Sequence, residues 1–437
     1  MIQSVVEQLL NPNTQWVLIG TLLLGIASGV LGSFTLLRKQ SLIGDAMAHA
    51  ALPGVCFGFM LSGSKSIIWL LLGAAITGLI AAWFIQITIN HSKVKEDSAL
   101  GLVLSVFFGF GIVLLTFIQH SYGGNQSGLS DFIFGQAASM VGADVQVIIT
   151  IAVVLLLITF IFFKEFKLIT FDPQFAKGIG LQTTFFNGLL MVLVVSAVVI
   201  GLQTVGVVLM AAMLITPAIS ARYWTEKLSA MIIISGVIGG ISGVLGTLLS
   251  TTAKGMATGP LIIVAATSMF LISLVFAPNR GLLAKLFKQL SVRKRTARNQ
   301  LLLNFYELSE LGDNAGFTAE QLMSKRKLSY SMSLSMLQQF EKKAWVYKTS
   351  DEKWKLTDAG LEKAYEIVLN ERLFEMYLMH EMELAQLQLK SRDDIDLKKL
   401  PAEIKEYLFK LLNTHQRTPR LLPKSARVDE RGIANGL

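Results

Sequence analysis

The first two thirds of the chain is a succession of long apolar stretches, and the last third consists of short segments whose apolar residues recur at helical spacing. A helix needs about 20 mostly apolar residues to cross a hydrocarbon core. Reading in that window predicts nine membrane helices, over 16–37, 41–62, 67–90, 99–119, 143–163, 183–200, 203–220, 229–250 and 258–278. The alternative count is eight, because 183–220 also reads as broken helices and 120–135 as a short re-entrant piece. None of the spans has a polar face, as suits helices immersed in lipid or in a bundle core. Small residues in GAAITGLIAA (73–82) and SGVIGGISGVLG (235–246) let helix backbones approach closely, which is how membrane helices pack.

From Arg280 the pattern changes. KQLSVRKRTARNQ (288–300) reads as a basic linker or a membrane-apposed helix, the kind of polybasic run that meets lipid headgroups. LLLNFYELSEL (301–311) has a helical period, and FTAEQLMSKRKL (317–328) opens with Thr318 and Gln321 in a capping-box spacing. SYSMSLSMLQQFEKKAW (329–345) is a third helix, and VYKTSDEKWKLT (346–357) reads as strand, turn, strand. The expected architecture is therefore an all-α polytopic membrane domain over 1–280, a basic linker over 281–299, and a small α+β winged helix-turn-helix domain over 300–424. The Pro/Arg-rich end, from about 417 and wholly over 425–437, is expected to be disordered.

Composition sharpens the division. Of 437 residues 52% are hydrophobic and only 16% charged, against about 25% charged in soluble domains. Residues 1–278 hold 11 Lys/Arg and 9 Asp/Glu, whereas 279–437 hold 28 and 21, so most of the net +9 belongs to the second part. A single cysteine excludes a disulfide framework. The first 14 residues carry no Lys or Arg and do not read as a secretory signal. With the N-terminus outside, the cytoplasmic loops gain Arg38, Lys39, Lys93, Lys95, Lys164, Lys167, Lys177, Arg222 and Lys227, and the outer loops only Lys65 and Lys254. An odd helix count then places the charged tail in the cytoplasm.

Ionisable residues within apolar spans are costly, so each is a functional hypothesis. Asp45 and His49, in SLIGDAMAHAALPGV, are four residues apart and share one helix face at about 6 Å. Carboxylate and imidazole at that spacing can hold one divalent cation, pair with each other, or relay a proton. Two ligands do not complete a coordination shell, and a second copy of the helix across a dimer axis would supply two more. Pro53, one turn on, removes a backbone donor and predicts a kink. Asp131, Asp144, His91 and His120 read as interfacial residues, and Cys56 as packing. No Walker A loop, zincin helix or nucleophile elbow is present, so a transporter built on this chain takes its energy from elsewhere.

SLIGDAMAHAALPGVCFGF resembles the signature of the metal-ion permease subunits of bacterial ABC importers, the manganese/zinc/iron family. LSDFIFGQAASM (129–140), FDPQFAKGIGL (171–181) and GLQTVGVVLMAAMLITPAISAR (201–222) resemble that family's further motifs in the same order. The resemblance covers about residues 10–280. It implies that Asp45 and His49 are ligands on the ion pathway, with no permanently bound cofactor and a divalent cation as cargo. It also implies that 165–181 carries the helix that couples to the ATPase subunit, with Phe171, Asp172, Pro173, Phe175 and Gly178 as the matching positions. The implied partners are an ABC ATPase, an extracellular metal-binding lipoprotein and a second permease chain, in a bacterial cell membrane. Oxygen with imidazole suits manganese, iron(II) and zinc; manganese is the expected cargo.

YELSE, LTDAGLEKA and LPAEIKEYLFKLL resemble the metal-dependent repressors of the diphtheria-toxin-repressor family over about 300–424. The departures are specific. Glu371 stands where that family has a metal-binding His, and Leu397 and Lys398 occupy two later ligand positions. His380 and His415 are the remaining imidazoles, with no ligand-like neighbours expected for either. The third helix is Ser/Met-rich, with its positive charge confined to Lys342 and Lys343, whereas DNA affinity needs Lys/Arg on the docking face. DNA is therefore not an expected partner. The competing reading, a membrane-tethered metal-responsive transcriptional regulator, predicts a cationic recognition helix; a self-energised carrier predicts inverted repeats and several midplane carboxylates. Neither feature is found in the sequence.

Overall fold

A computed structural model of the chain describes residues 11–63, 66–121, 140, 142–251, 256–312, 316–324, 330–380 and 402–424. It divides into two compact units, with the boundary after Lys285.

The first unit is a helical bundle. Its helices are α1 (Pro12–Leu37), α2 (Ile43–Ser62), α3 (Ile67–His91), α4 (Glu96–Ser121), α5 (Gly142–Ile161), α6 (Phe163–Phe171), α7 (Pro173–Gly178), α8 (Thr183–Thr204), α9 (Val207–Trp224), α10 (Leu228–Thr251) and α11 (Thr258–Phe276). Among the described residues, eight are long and apolar enough to cross a membrane: α1 to α5, α8, α10 and α11. Helix α9, with Pro217 inside it, brings the chain back along the bundle. Residues 122–135, with Asp131, and the rest of 129–140 except Met140 lie outside the described residues, as do Lys65 and Lys254.

Helix ends follow local chemistry rather than the apolar window. Helix α1 starts four residues before the expected 16, because Asn11 Oδ1 accepts from Asn13 N at 3.1 Å and Pro12 occupies the first turn. The expected 203–220 span begins instead at Val207. Gly206, with φ +95°, breaks the helix there, and a side chain would strain that backbone. Helix α4 gains a turn at its start, where Glu96 and Asp97 complement the helix dipole.

Glycine sets the tightest packing. A Cβ on Gly25 would sit 2.3 Å from Gly239 O, and one on Gly54 would sit 2.0 Å from Gly73 O, so α1 meets α10, and α2 meets α3, backbone to backbone. Ser235 Oγ donates to Gly29 O at 2.6 Å across the first of these contacts.

Long-range contacts sort the helix ends. Arg38 reaches Asn187 at 2.8 Å, Gln40 reaches Glu96, Asn279 reaches the Trp224 carbonyl, and Phe34 packs on Phe163 and Phe166. At the opposite end Asn13 donates to Met140 O at 3.2 Å, and Ser250 meets Thr258 at 2.9 Å. Arg38, Lys39, Lys93, Lys95, Lys164, Lys167, Lys177, Arg222, Lys227 and Arg280 thus gather at one end. Helices α8 and α9 form an out-and-back pair from that same end.

The second unit begins within α12 (Leu282–Glu310), one continuous helix through the segment expected as a basic linker. It continues with α13 (Ala319–Ser324), α14 (Tyr330–Lys342), β1 (Val346–Lys348), β2 (Trp354–Leu356), α15 (Asp358–Met379) and α16 (Ala402–Thr414). The strands pair antiparallel, with Tyr347 opposite Lys355, and Phe317 bridges to Trp354. The capping box at α13 is reciprocal: Gln321 Oε1 accepts from Thr318 N at 3.0 Å, and Thr318 Oγ1 accepts from Gln321 N at 3.3 Å. Leu301, Leu302, Phe305, Tyr306, Leu337, Phe340 and Trp354 lie in its main core.

The expectation of disorder from about 417 fails for 417–424. Arg420 N donates to Glu310 Oε1 at 2.7 Å, Leu421 N donates to Tyr306 Oη at 3.0 Å, and Lys424 pairs with Asp358 at 2.6 Å. Backbone groups docked on side chains so distant in sequence leave no periodic signal. Residues 391–400 and 425–437, the subjects of two further expectations, lie outside the described residues.

Candidate metal site and coupling segment

Helix α2 follows a tight turn in which Lys39 adopts φ +62° and Gln40 N donates to Thr35 O at 2.9 Å. Asp45 falls in the first turn of α2, where the exposed helix N–H groups favour a carboxylate. His49 is one turn further in. Small residues bring α2 against its neighbours on several sides: Gly44 meets Leu214 and Ala211 of α9, Gly54 and Gly58 meet α3, and Leu52 meets Gly111 of α4. Buried Ala46, Ala48, Ala50 and Ala51 complete that packing.

One face stays open. The side chains of Asp45 and His49 retain 35% and 15% exposure, and Phe57 and Leu61 further along the same helix are exposed. His49 Nε2 lies 3.4 Å from Asp45 Oδ1, longer than a well-formed N–H···O bond. His49 Nδ1 is buried with no hydrogen-bond partner. Phe108 of α4 sets its ring at 77° to the imidazole with centroids 4.6 Å apart, which fixes the imidazole plane. Pro53 lies inside α2 and supplies no N–H to the His49 carbonyl, so this residue carries a second under-used polar group. Buried polar atoms without partners are rare, and such a cluster on an open face has the character of a ligand site.

Among the described residues no group of three or more His, Cys, Asp or Glu could hold a metal ion. Asp45 and His49 are thus two candidate donors in one chain, fewer than a coordination shell takes. His91 and His120 stand at helix ends, and Asp144 is in the first turn of α5, as interfacial residues should be. Cys56 is buried against the Gly111 carbonyl, a packing residue.

At the basic end of the bundle, α6 and α7 form a short surface elbow. Asp172 caps α7 by accepting from Phe175 N at 2.9 Å, with Pro173 at the first helical position. Ala176 is buried and anchors the turn, while Phe171, Phe175 and Ile179 are exposed at one-turn intervals. Gly178 ends the helix, and Gly180, with φ +86°, turns the chain toward α8. Phe171, Phe175 and Ile179 thus form an exposed apolar patch beside basic residues, the kind of surface that interaction sites present.

Three features escaped the reading of the residues. Phe108 belongs to an FFGFG run that gives no clue to which ring meets the imidazole. Gln203 Oε1 and Glu165 Oε2 are buried without hydrogen-bond partners. Glu165 had a signal, a lone carboxylate in FFKEFK beside the elbow. In the tail, His380 and His415 do have company. Their rings meet at 5.8 Å, His380 at the end of α15 and His415 just past α16. Spacing of 35 residues hides such a contact. Glu371 lines a cleft of about 340 Å³ with Glu307, Glu310, Arg372, Glu375 and Arg417.

Residues 11–277 match the ABC 3 transport family. The chain is 56% identical over 435 residues to the manganese transport system membrane protein MntC of Bacillus subtilis strain 168, covering 100% of both. It is 44% identical over 275 residues to the zinc transport system membrane protein TroC of Treponema pallidum strain Nichols, covering 63% of this chain and 92% of that one. Among solved structures it is similar to PsaBC from Streptococcus pneumoniae in complex with Fab. That match has TM-score 0.57 and 35% identity, and covers 64% of this chain and 98% of the other.

Proposed function

From the premise that this chain belongs to the ABC 3 transport family, and is a multi-pass membrane transport protein, we propose that it is the permease subunit of an importer for a divalent transition metal, manganese. The observation that carries the reading is the open face of α2, where Asp45 and His49 present one oxygen donor and one imidazole with a buried, unpartnered nitrogen. The name of the full-length relative favours manganese, and the TroC match keeps zinc within the same chemistry. Carboxylate with imidazole suits both ions.

Two permease chains meet along this face, each supplying Asp45 and His49, and the four side chains replace part of the water shell of the ion. The site is mixed and few in ligands, so it binds firmly enough to admit a dehydrated cation and weakly enough to release it. The end rich in Lys and Arg faces the cytoplasm. An ABC ATPase docks there on Phe171, Phe175 and the capped turn at Asp172, Pro173 and Gly178. Closure of the ATPase pair rocks the helices between outward-open and inward-open states, and an extracellular binding lipoprotein delivers the ion. No protein side chain forms or breaks a bond in the cargo.

The tail, with three helices followed by an antiparallel hairpin, supports a winged helix-turn-helix fold in the cytoplasm. The exposed positions of α14 are Tyr330, Ser331, Ser335, Gln338, Gln339 and Glu341, with Lys342 at its end, which favours a protein contact over a phosphate backbone.

The test is manganese uptake in cells that also contain the ATPase and the binding protein. Asp45→Ala and His49→Ala, at normal protein levels, are expected to reduce uptake by at least about tenfold; unchanged uptake sinks the site.

A further inference from the structure

Helix α12 leaves α11 through a five-residue turn that is tied to the basic end of the bundle. Asn279 Nδ2 donates to Trp224 O at 2.8 Å, and Arg280 pairs with Glu226 at 2.8 Å. Its first four turns then stand uncovered, with Leu282 at 49%, Leu286 at 53%, Phe287 at 69% and Leu290 at 52% exposure. At about 100° per residue, these four and Leu283 fall in one arc of about 140°. Lys285 and Lys288 lie on the opposite side, whereas Arg293 and Lys294 fall within the arc and close its uncovered apolar part after Leu290. Ala297 and Leu301 continue the apolar arc, and there it is buried in the core of the second unit. The stripe is therefore bare over 282–290, interrupted by Arg293 and Lys294, and covered from Ala297 on.

We propose that residues 282–296 form an interfacial helix lying in the headgroup layer of the inner leaflet. Its apolar arc enters the acyl boundary, and its Lys and Arg side chains hold anionic phospholipid headgroups. The assignment rests on the reading that the basic end faces the cytoplasm. Three observations favour lipid over a protein partner. Only five residues, 277–281, separate the helix from the last candidate span, which keeps its start close to the end of that span. Over 282–290 its leucines and Phe287 lie on one face and its two lysines on the other, as in a membrane-surface helix. Between residues 279 and 306 the chain has seven Lys/Arg and no Asp/Glu, which is the charge complement of an anionic leaflet. An exposed helix of about 15 residues is also marginal in water unless something covers its apolar face.

The test uses the full chain in lipid nanodiscs, with Cys56→Ala removing the single native thiol and one spin label at a time on Lys285→Cys, Leu286→Cys, Phe287→Cys, Lys288→Cys or Leu290→Cys. With phosphatidylglycerol present, labels at 286, 287 and 290 should be reached by oxygen and shielded from a water-soluble nickel reagent, and those at 285 and 288 the reverse. Replacing phosphatidylglycerol by phosphatidylcholine, or combining Lys285→Gln with Lys288→Gln, should make the burial shallower. Equal aqueous access at all five positions overturns the proposal. So does shielding at 286, 287 and 290 that arises only when the ATPase is added. Separately, reaction of Lys288→Cys with an impermeant thiol reagent applied outside intact cells would overturn the topology, whatever the depth pattern in nanodiscs.

Discussion

His49 Nε2 stands 3.4 Å from Asp45 Oδ1 across one turn of α2, while its Nδ1 is buried with no hydrogen-bond partner. A neutral imidazole can satisfy one nitrogen as donor and the other as acceptor, and here neither contact is a good hydrogen bond. Two donors held on one face, with one imidazole nitrogen short of a partner, match what a second chain and a cation would complete.

Phe108 orients that imidazole by an edge contact at 4.6 Å. Aromatic pairs of this kind contribute about 0.5–1.5 kcal/mol. Phe108→Ala is expected to raise the half-saturating manganese concentration about threefold and to leave the protein level unchanged, a smaller effect than loss of His49 itself. Concentration-dependent uptake measures the difference.

Gly25 and Gly239 let α1 and α10 touch, since a Cβ on Gly25 would meet Gly239 O at 2.3 Å. Gly25→Val forces the helices apart and is expected to cost about 2 kcal/mol. Thermal unfolding of the purified chain in detergent should show a lower midpoint than wild type. An equal midpoint would mean that the two helices do not meet there.

Asp172 and Phe175 separate capping from docking on one short helix. Asp172→Ala removes the bond from Phe175 N and should loosen α7 by about 1 kcal/mol. Phe175 is 56% exposed, so Phe175→Ala should leave stability alone but reduce co-purification of the ATPase and, with it, transport. Full recovery of the ATPase with the Ala variant would remove Phe175 from the interface.

Arg372 Nη2 meets Glu310 Oε2 at 2.5 Å, and Arg420 N donates to the other oxygen. Burial alone would raise the Glu310 carboxyl; hydrogen bonds from Arg372 and the Arg420 backbone outweigh it and hold the group below the usual carboxylate range. The linkage has a definite sign. The stabilisation is complete above the unfolded value of about 4.3 and is lost as pH falls through the lowered folded value. Acid should therefore release 417–421 from α12 before it unfolds the rest of the tail. Arg372→Ala leaves a shielded carboxylate unpaired and should cost about 2 kcal/mol, less than for a fully buried pair. Hydrogen exchange at residues 306–310 and 417–421 as pH is lowered measures both effects.

Whatever depends on local period or local capping was readable in advance. The apolar window placed the eight candidate spans to within about four residues and also read 203–220, the shorter α9, as a span, and the Thr318–Gln321 box and the hairpin at 346–357 stand where their spacing put them. Asp45 and His49 were visible because charge is rare in apolar runs and because they are one turn apart. The contacts that complete each site were not visible. Phe108 on His49, Gly239 on Gly25, Arg420 on Glu310 and His415 on His380 join residues tens to hundreds of positions apart, and no periodicity encodes them. The uncovered arc of α12 lies between. Its residues announce an amphipathic helix, but only the structure shows that the stripe is bare over 282–290 and covered from Ala297 on.

The central claim is that one cation is held by two permease chains. Equilibrium dialysis of the purified, fully assembled importer against manganese tests it most directly, by counting ions per permease chain. The account predicts one bound ion for every two chains at saturation, lost in His49→Ala. One ion per chain, or binding that survives His49→Ala unchanged, would contradict it.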